Sequence, residues 1–387
     1  MPIPFILGEV RVFEFFLYIS FIFYFPKVFR KKVKLIKLDK LVYFYFILSL
    51  ISTLVDLANI YDGLQSFRWT VLPPVIFYII IRSEFKNISY YTKYITIMLP
   101  GILLYAILFI KDKALSDFTR SYVDEHGTIR LISLAYCFAL GLSILQYLIK
   151  INTIRILTAI LLIIALSLTL TRAIIIGTLI MFFFNYLLSS FTNYKLNLNK
   201  NYLAIVIFSF FFFLLNYTKS ESDIYDKREL RMLQQGSERM ISFDLLKEDI
   251  NDRLFMWGLF LDPQFDHNFL VGKGLANTTI GFNKDLEQVY GSAHNFMITL
   301  FRRSGLLGVL LFISIITTSV NYLFYSLKFH RIDNSFLKFL LFNLLLLYFL
   351  GFSNDLFTGN RITYLFIILG FTSNCYVHTK NMKHNIL

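Results

Sequence analysis

Residues 156–191 read ILTAILLIIALSLTLTRAIIIGTLIMFFFNYLLSSF, with Arg172 as the only charge. As one helix this run would be about 54 Å long at 1.5 Å per residue. The hydrocarbon core of a bilayer is only about 30 Å thick, so the run must fold back on itself. Arg172 stands near its middle, in Leu168-Thr169-Leu170-Thr171-Arg172-Ala173, and so marks a turn close to one membrane surface. An arginine with apolar neighbours on both sides is costly there unless it snorkels or meets an anion. Position alone leaves both explanations open.

The rest of the chain agrees with a membrane reading. Of its 387 residues, 56% are hydrophobic and 16% charged, where a soluble domain carries about 25% charged residues. A mean hydropathy of +0.61 and 44 Phe point the same way. This composition excludes a disordered chain, a disulfide scaffold and an ordinary cytosolic enzyme. The net charge of +13 is unevenly spread. Residues 218–293 hold 9 Lys/Arg against 13 Asp/Glu, a local balance of −4, which leaves +17 for the remainder. That excess lies mostly in short segments between apolar runs, as topology signals do. A nucleic-acid-binding protein would gather it on a soluble domain or tail. Cys137 and Cys375 both fall in apolar runs and read as packing residues.

Runs long enough to cross a bilayer occur near 5–25, 41–60, 69–82, 94–110, 129–149, 154–170, 173–191, 202–217, 305–326, 336–353 and 362–377. The first carries Glu9, Arg11 and Glu14, and reads as a short hairpin or interfacial helix as readily as a span. The connection Pro26–Lys40 holds seven Lys/Arg and one Asp. Arg82, Lys86 and Lys93, then Lys150 and Arg155, Lys195 and Lys200, and Lys328, Arg331 and Lys338 mark the alternate connections after it. With eleven spans all of these, and the C-terminal tail, share one side, and the positive-inside rule makes that side cytoplasmic. The expected fold is therefore all-α, a polytopic helical bundle of about eleven spans (ten to twelve) with one long, partly helical external loop. Its expected divisions are 1–150, N-terminal spans; 151–217, spans carrying the Arg172 turn; 218–293, the external loop; and 294–387, an amphipathic helix followed by the last spans.

The external segment keeps Leu, Met, Phe and Trp at helical spacing. In Asp252-Arg253-Leu254-Phe255-Met256-Trp257-Gly258-Leu259-Phe260, Arg253, Trp257 and Phe260 fall on one helical face, with Asn251 or Asp252 as cap. Val271-Gly272-Lys273-Gly274 reads as a tight turn and lacks the spacing of a nucleotide loop. Next comes Gly291-Ser292-Ala293-His294-Asn295. Taking Ser292 as N-cap puts His294 in the first turn of a helix, where the positive helix end keeps imidazole neutral and available as a base. The alternative is a histidine that merely anchors an interfacial helix. No His/Cys pair has zinc spacing, no calcium-loop rhythm occurs, and no metal or cofactor is expected.

Three groups of these residues together resemble the bacterial O-antigen polymerase/O-antigen ligase family, integral membrane glycosyltransferases that use undecaprenyl-diphosphate-linked glycans. Thr169-Leu170-Thr171-Arg172-Ala173 resembles that family's Thr-x-[Ser/Thr]-Arg-Ala turn. Arg253-x-x-x-Trp257 followed by Gly272-x-Gly274 is similar to its external helix and turn. His294-Asn295, nine residues, Gly305, two residues and Gly308 fits its His-Asn-x9-Gly-x-x-Gly pattern. The resemblance covers roughly residues 150–375. Before that the chain matches only as a series of spans. The Arg-x10-Gly loop signatures of some polymerases do not occur at Arg172 or Arg253.

The resemblance implies a GT-C-like bundle in the bacterial inner membrane, with the active face periplasmic and the C-terminus cytoplasmic. It implies metal-independent, inverting glycosyl transfer from an undecaprenyl-diphosphate-linked oligosaccharide. Arg172 and Arg253 would clamp the diphosphate, since guanidinium binds phosphate oxygens bidentately. His294 would take the proton of the acceptor hydroxyl, with Asn295, Trp257, Gly272 and Gly274 in support. For a polymerase the acceptor is another lipid-linked repeat unit, and a membrane chain-length regulator is the expected protein partner. For a ligase it is the lipid A-core. The Arg-x-x-x-Trp…Gly-x-Gly segment favours the polymerase. A flippase would bury charges or Gly/Pro breaks within the spans, and a non-catalytic scaffold would not need these residues on one external face.

Overall fold

In a computed structural model the chain is described over residues 2–5, 8–11, 18–19, 21–22, 35–55, 57–84, 90–115, 120–148, 153–169, 171–191, 254, 257–258, 269–275, 280–281, 289–290, 295–329, 334–353 and 361–384. In chain order the elements are β1 (Pro2–Phe5), β2 (Gly8–Arg11), α1 (Lys37–Val55), α2 (Ile60–Thr70), α3 (Leu72–Glu84), α4 (Tyr91–Thr96), α5 (Met98–Leu115), α6 (Arg120–Leu148), α7 (Thr153–Leu168) and α8 (Arg172–Phe191). They continue with β3 (Ile280–Gly281), β4 (Val289–Tyr290), α9 (Phe296–Lys328), α10 (Asn334–Ser353) and α11 (Arg361–His384). Four helical stretches are long and apolar enough to cross a membrane: Lys37–Val55, Ile60–Glu84, Tyr91–Lys111 and Phe296–Lys328. Ser133–Leu148, Arg155–Leu168, Ile174–Phe183 and Ser335–Gly351 are shorter apolar helices.

Each expected run from 41–60 onward coincides with a helix, except 202–217, which lies outside the described residues. The described residues are mostly helical, in line with the all-α expectation, with two small antiparallel pairs besides, β1 with β2 and β3 with β4. Two points are refined. For the first run, 5–25, the hairpin alternative is the one taken at its start, with Pro2 opposite Arg11 and Phe5 opposite Gly8. The run expected at 69–82 begins earlier, at Ile60. Its two helices are separated at Val71, because Pro73 and Pro74 withhold the N–H groups that the carbonyls of Trp69 and Thr70 would accept. The ladder survives through Val71 N–H to Phe67 O (3.0 Å) and Val75 N–H to Val71 O (3.2 Å).

The chain forms two compact units, Met1–Ile88 with Arg253–Leu387, and Ser89–Asp252. In the first, α11 packs along α3, and α9 packs against α1, α10 and α11. Gly370 lets α11 approach closely, since a Cβ there would lie 3.0 Å from Ile81 Cβ. Phe342, Leu344, Leu365 and Phe366 are fully buried between these helices. Tyr322 of α9 stacks on Tyr376 of α11 at 3.7 Å, and approaches the backbone of Lys37 and Leu38 at the start of α1.

At that same end sits a buried polar knot. Asp39 (1% exposed) accepts from Arg82 Nε (3.0 Å) and from the Tyr78 hydroxyl (2.6 Å). Arg82 Nη1 donates to Asn374 Oδ1 (2.9 Å), Asn374 Nδ2 to the Ile81 carbonyl (2.8 Å), and Ser373 shares a 2.9 Å bond with Tyr78. The knot joins α1, α3 and α11. A buried ion pair contributes only if its remaining donors and acceptors are also met, and here the side-chain amide and hydroxyls do that.

In the second unit α6 packs against α5, α7 and α8. Gly141 brings α6 within reach of α7, a Cβ there falling 2.9 Å from Leu162 Cδ1. Arg155 Nη2 donates to the Gln146 carbonyl at 3.0 Å, tying the start of α7 to the end of α6.

Candidate functional site: a glycine-lined interlock and the Thr-x-Thr-Arg turn

The helix expected to be too long for one span is broken where Arg172 predicts it. α7 ends at Leu168 and α8 begins at Arg172. The Thr169 hydroxyl donates to the Leu166 carbonyl (2.6 Å) and shares a 2.8 Å bond with the Thr171 hydroxyl. The Thr171 carbonyl accepts from Ile174 and Ile175 N–H (3.1 and 3.2 Å), opening α8. Both threonines therefore hold the turn, and Arg172 is the first helical residue after it. Its side chain lies outside what is described.

In the first unit, the Gly272-x-Gly274 turn and the helix after His294-Asn295 meet directly. α9 is not one helix: Gly305 adopts φ 63°, ψ −166°, a conformation that only glycine takes at little cost. The break deprives the carbonyls of Arg302 and Arg303 of their helical donors, and the N–H groups of Leu306 and Leu307 of their acceptors. All four groups are served by one segment. Lys273 N–H donates to Arg302 O (2.7 Å) and Gly274 N–H to Arg303 O (3.1 Å), while Leu306 N–H reaches Phe269 O (2.9 Å) and Leu307 N–H reaches Leu270 O (3.2 Å). Backbone groups buried without a partner are costly, so the two segments hold each other in place.

The glycines are required by closeness as well as by φ. Gly272 (φ 80°) presses so near that a Cβ would lie 2.5 Å from Gly305 N, and Gly274 has φ 99°. A Cβ on Gly305 would run into the Leu270 carbonyl. Phe269 packs edge-on against Phe301 at 5.6 Å. The Ser52 hydroxyl at the end of α1 donates to the Val271 carbonyl (3.4 Å).

The expected helix start is corrected. Asn295, not Ser292, caps α9: its side chain accepts from Met297 N–H (2.9 Å) and Ile298 N–H (3.3 Å), with the extended backbone of a cap (φ −144°, ψ 118°). Asn and Ser cap about equally well. Phe296, the first helical residue after the cap, is buried (1% exposed) and packs on Phe312 at 4.5 Å. His294 thus precedes the cap in sequence, and the helix-end argument for its neutrality falls away. His294 and Arg253 themselves lie outside the described residues. Leu254, Trp257 and Gly258 are helical, in keeping with the expected Arg-x-x-x-Trp helix.

Two residues escaped sequence reasoning. Arg302 and Arg303, on the helical turn before Gly305, are 5% and 7% exposed. A signal for them exists: on the expected topology they precede an inward-running span, on the side where basic residues are disfavoured. Among the described residues no group of three His, Cys, Asp or Glu converges as a metal site. No family model matches the chain, and no curated protein is similar enough to stand as a relative.

Proposed function

We propose that the chain is a surface-polysaccharide (O-antigen) polymerase, a GT-C-like bundle of about eleven spans in a bacterial inner membrane. It joins undecaprenyl-diphosphate-linked repeat units at the periplasmic face. The observation that carries the reading is the interlock. Two of the three motif pieces in the family resemblance, Gly272-x-Gly274 and His294-Asn295-x9-Gly305, lie far apart in sequence and are bonded to one another backbone to backbone. Such a joint ties the helix that follows His294-Asn295 to the Phe269–Leu275 segment.

In this reading Arg172 and Arg253 bind the diphosphate of the donor and offset the charge that develops as it departs. His294 accepts the proton of the acceptor hydroxyl as its oxygen attacks the anomeric carbon. The C–O bond to the diphosphate breaks as the new glycosidic bond forms, so one displacement inverts the anomeric centre. Asn295 and the glycines position these groups and do not react. A ligase acting on lipid A-core would use the same three residues, and a flippase none of them.

The test is turnover by purified full-length protein given lipid-diphosphate repeat units. Extension of the glycan by wild type, and its loss in Arg253→Ala and His294→Ala proteins that insert normally, is the expected result. Full activity in either variant removes that residue from the mechanism, and no turnover with any lipid-linked glycan removes the reading.

A further inference from the structure

Phe269-Leu270-Val271 is a short apolar patch set between Asp266-His267-Asn268 and Gly272-Lys273-Gly274 in sequence. The chain turns there, and its first two side chains are exposed, Phe269 by 59% and Leu270 by 53%. Phe269 packs against Phe301 edge-on, which leaves much of its ring uncovered. Two exposed apolar side chains on a loop mean little by themselves. Their level in the molecule gives them a meaning.

That level is set by the backbone. The Phe269 and Leu270 carbonyls accept from the N–H groups of Leu306 and Leu307, so the patch lies beside the first turn of α9 after the Gly305 break. Beyond Arg303, α9 carries no charge until Lys328. The rise from Gly305 to Lys328 is about 35 Å, against about 30 Å for the hydrocarbon core of a bilayer. With that stretch crossing the membrane, Leu306 and Leu307 stand at the hydrocarbon edge, and Phe269 and Leu270 stand with them. The exposed side chains of α9 continue inward from there as Leu307, Leu310 and Ile313, a stripe that faces acyl chains. α1 ends near the same level, where Ser52 meets Val271, and exposes Ile51, Leu54 and Val55. Irregular backbone enters such a zone only where protein meets its polar groups. The interlock does so, since the Phe269 and Leu270 carbonyls and the Lys273 and Gly274 N–H groups are all bonded to α9.

We propose that Phe269 and Leu270 form a lipid-contact tip, inserted at the boundary between headgroups and acyl chains beside α9. An aromatic ring and an aliphatic side chain are both favoured there. The tip holds the Phe269–Leu275 segment down on the bilayer, while the backbone bonds to α9 hold it sideways. The occupant is phospholipid. Two side chains are too small a patch for a stable protein interface, and they adjoin a helix stripe that hydrocarbon covers. The inference rests on α9 crossing a membrane and is independent of glycan transfer.

The experiment uses the full chain in phosphatidylcholine nanodiscs. On a background of Cys137→Ala and Cys375→Ala, a nitroxide is attached at Leu270→Cys. Leu310→Cys serves as the lipid-facing reference, and Lys380→Cys, at an exposed position, as the aqueous one. Electron paramagnetic resonance reads collisions with oxygen, which partitions into hydrocarbon, and with a water-soluble nickel chelate. The oxygen-to-nickel ratio at position 270 is expected to exceed that at position 380 several-fold and to approach that at position 310. Equal ratios at 270 and 380 put the tip in water and overturn the proposal. Slow collision with both reagents means that protein covers the tip, and overturns it too. An aqueous reading at position 310 sinks the proposal together with the span on which it rests. Wild type supplies a second measurement that no folding defect can blur. A phosphatidylcholine carrying a diazirine on one acyl chain is illuminated, and the labelled residues are located by mass spectrometry. Label is expected on Phe269 or Leu270 as well as on the Leu307–Ile313 stretch of α9; label on α9 alone overturns the proposal.

Discussion

Asn295 illustrates how a single residue can carry both a structural and a positional role. Its side chain takes two backbone donors at the start of α9, and Asn295→Ala is expected to destabilise the protein by about 1 kcal/mol. Thermal unfolding in detergent checks this; an unchanged midpoint would mean water replaces the cap without loss. The residue types of the candidate site were legible, because His-Asn and Thr-x-Thr-Arg are unusual in apolar sequence. The helix start was not, since Ser292 and Asn295 cap about equally well by residue type. Arg172→Lys is the finer residue-scale test. On the proposed function, planar bidentate contact with phosphate predicts that lysine loses most glycan transfer, measured as turnover of lipid-linked substrate. Lysine working as well as arginine would reduce Arg172 to a marker of the turn.

Among elements, the Phe269–Leu275 segment and α9 depend on each other. Gly272→Ala or Gly305→Ala drives a Cβ into backbone and imposes a left-handed conformation on a residue that resists it. Each is expected to cost about 3 kcal/mol, seen as a lowered unfolding midpoint and faster cleavage of the external segment by added protease. Variants as stable as wild type would show that the interlock is dispensable. The sequence reading recognised the Gly272-Lys273-Gly274 turn and the span after Gly305, but not that they touch. Backbone hydrogen bonds use no side chain, so the partnership leaves no mark beyond the glycines that permit it. The length of the apolar runs located the described helices from α1 onward well, because the apolar length of a span is set by bilayer thickness. It placed the start of α2–α3 poorly, because Tyr61, Asp62 and Gln65 make its first turns polar.

For the whole molecule, the Asp39–Arg82 knot is the expected keystone of the first unit. Removing one partner strands a buried charge, so Asp39→Asn is expected to cost about 3–5 kcal/mol. Replacing both, as Asp39→Asn with Arg82→Met, is expected to cost less than either change alone. A simple sum of the two single effects, measured by thermal unfolding, would deny the coupling. If the proposed glycan transfer holds, loss of the gene distinguishes its two forms: lipopolysaccharide bearing one repeat unit indicates a polymerase, and bare core with accumulated lipid-linked polymer indicates a ligase. The knot has a further consequence for biosynthesis. Asp39, Tyr78 and Arg82 emerge from the ribosome early, whereas Ser373 and Asn374 come near the end of the chain. The early helices must therefore wait in the membrane with part of their polar set unmet. A chain truncated before Ser373 is expected to insert and then be degraded, and restoring the missing helix as a separate peptide should rescue it.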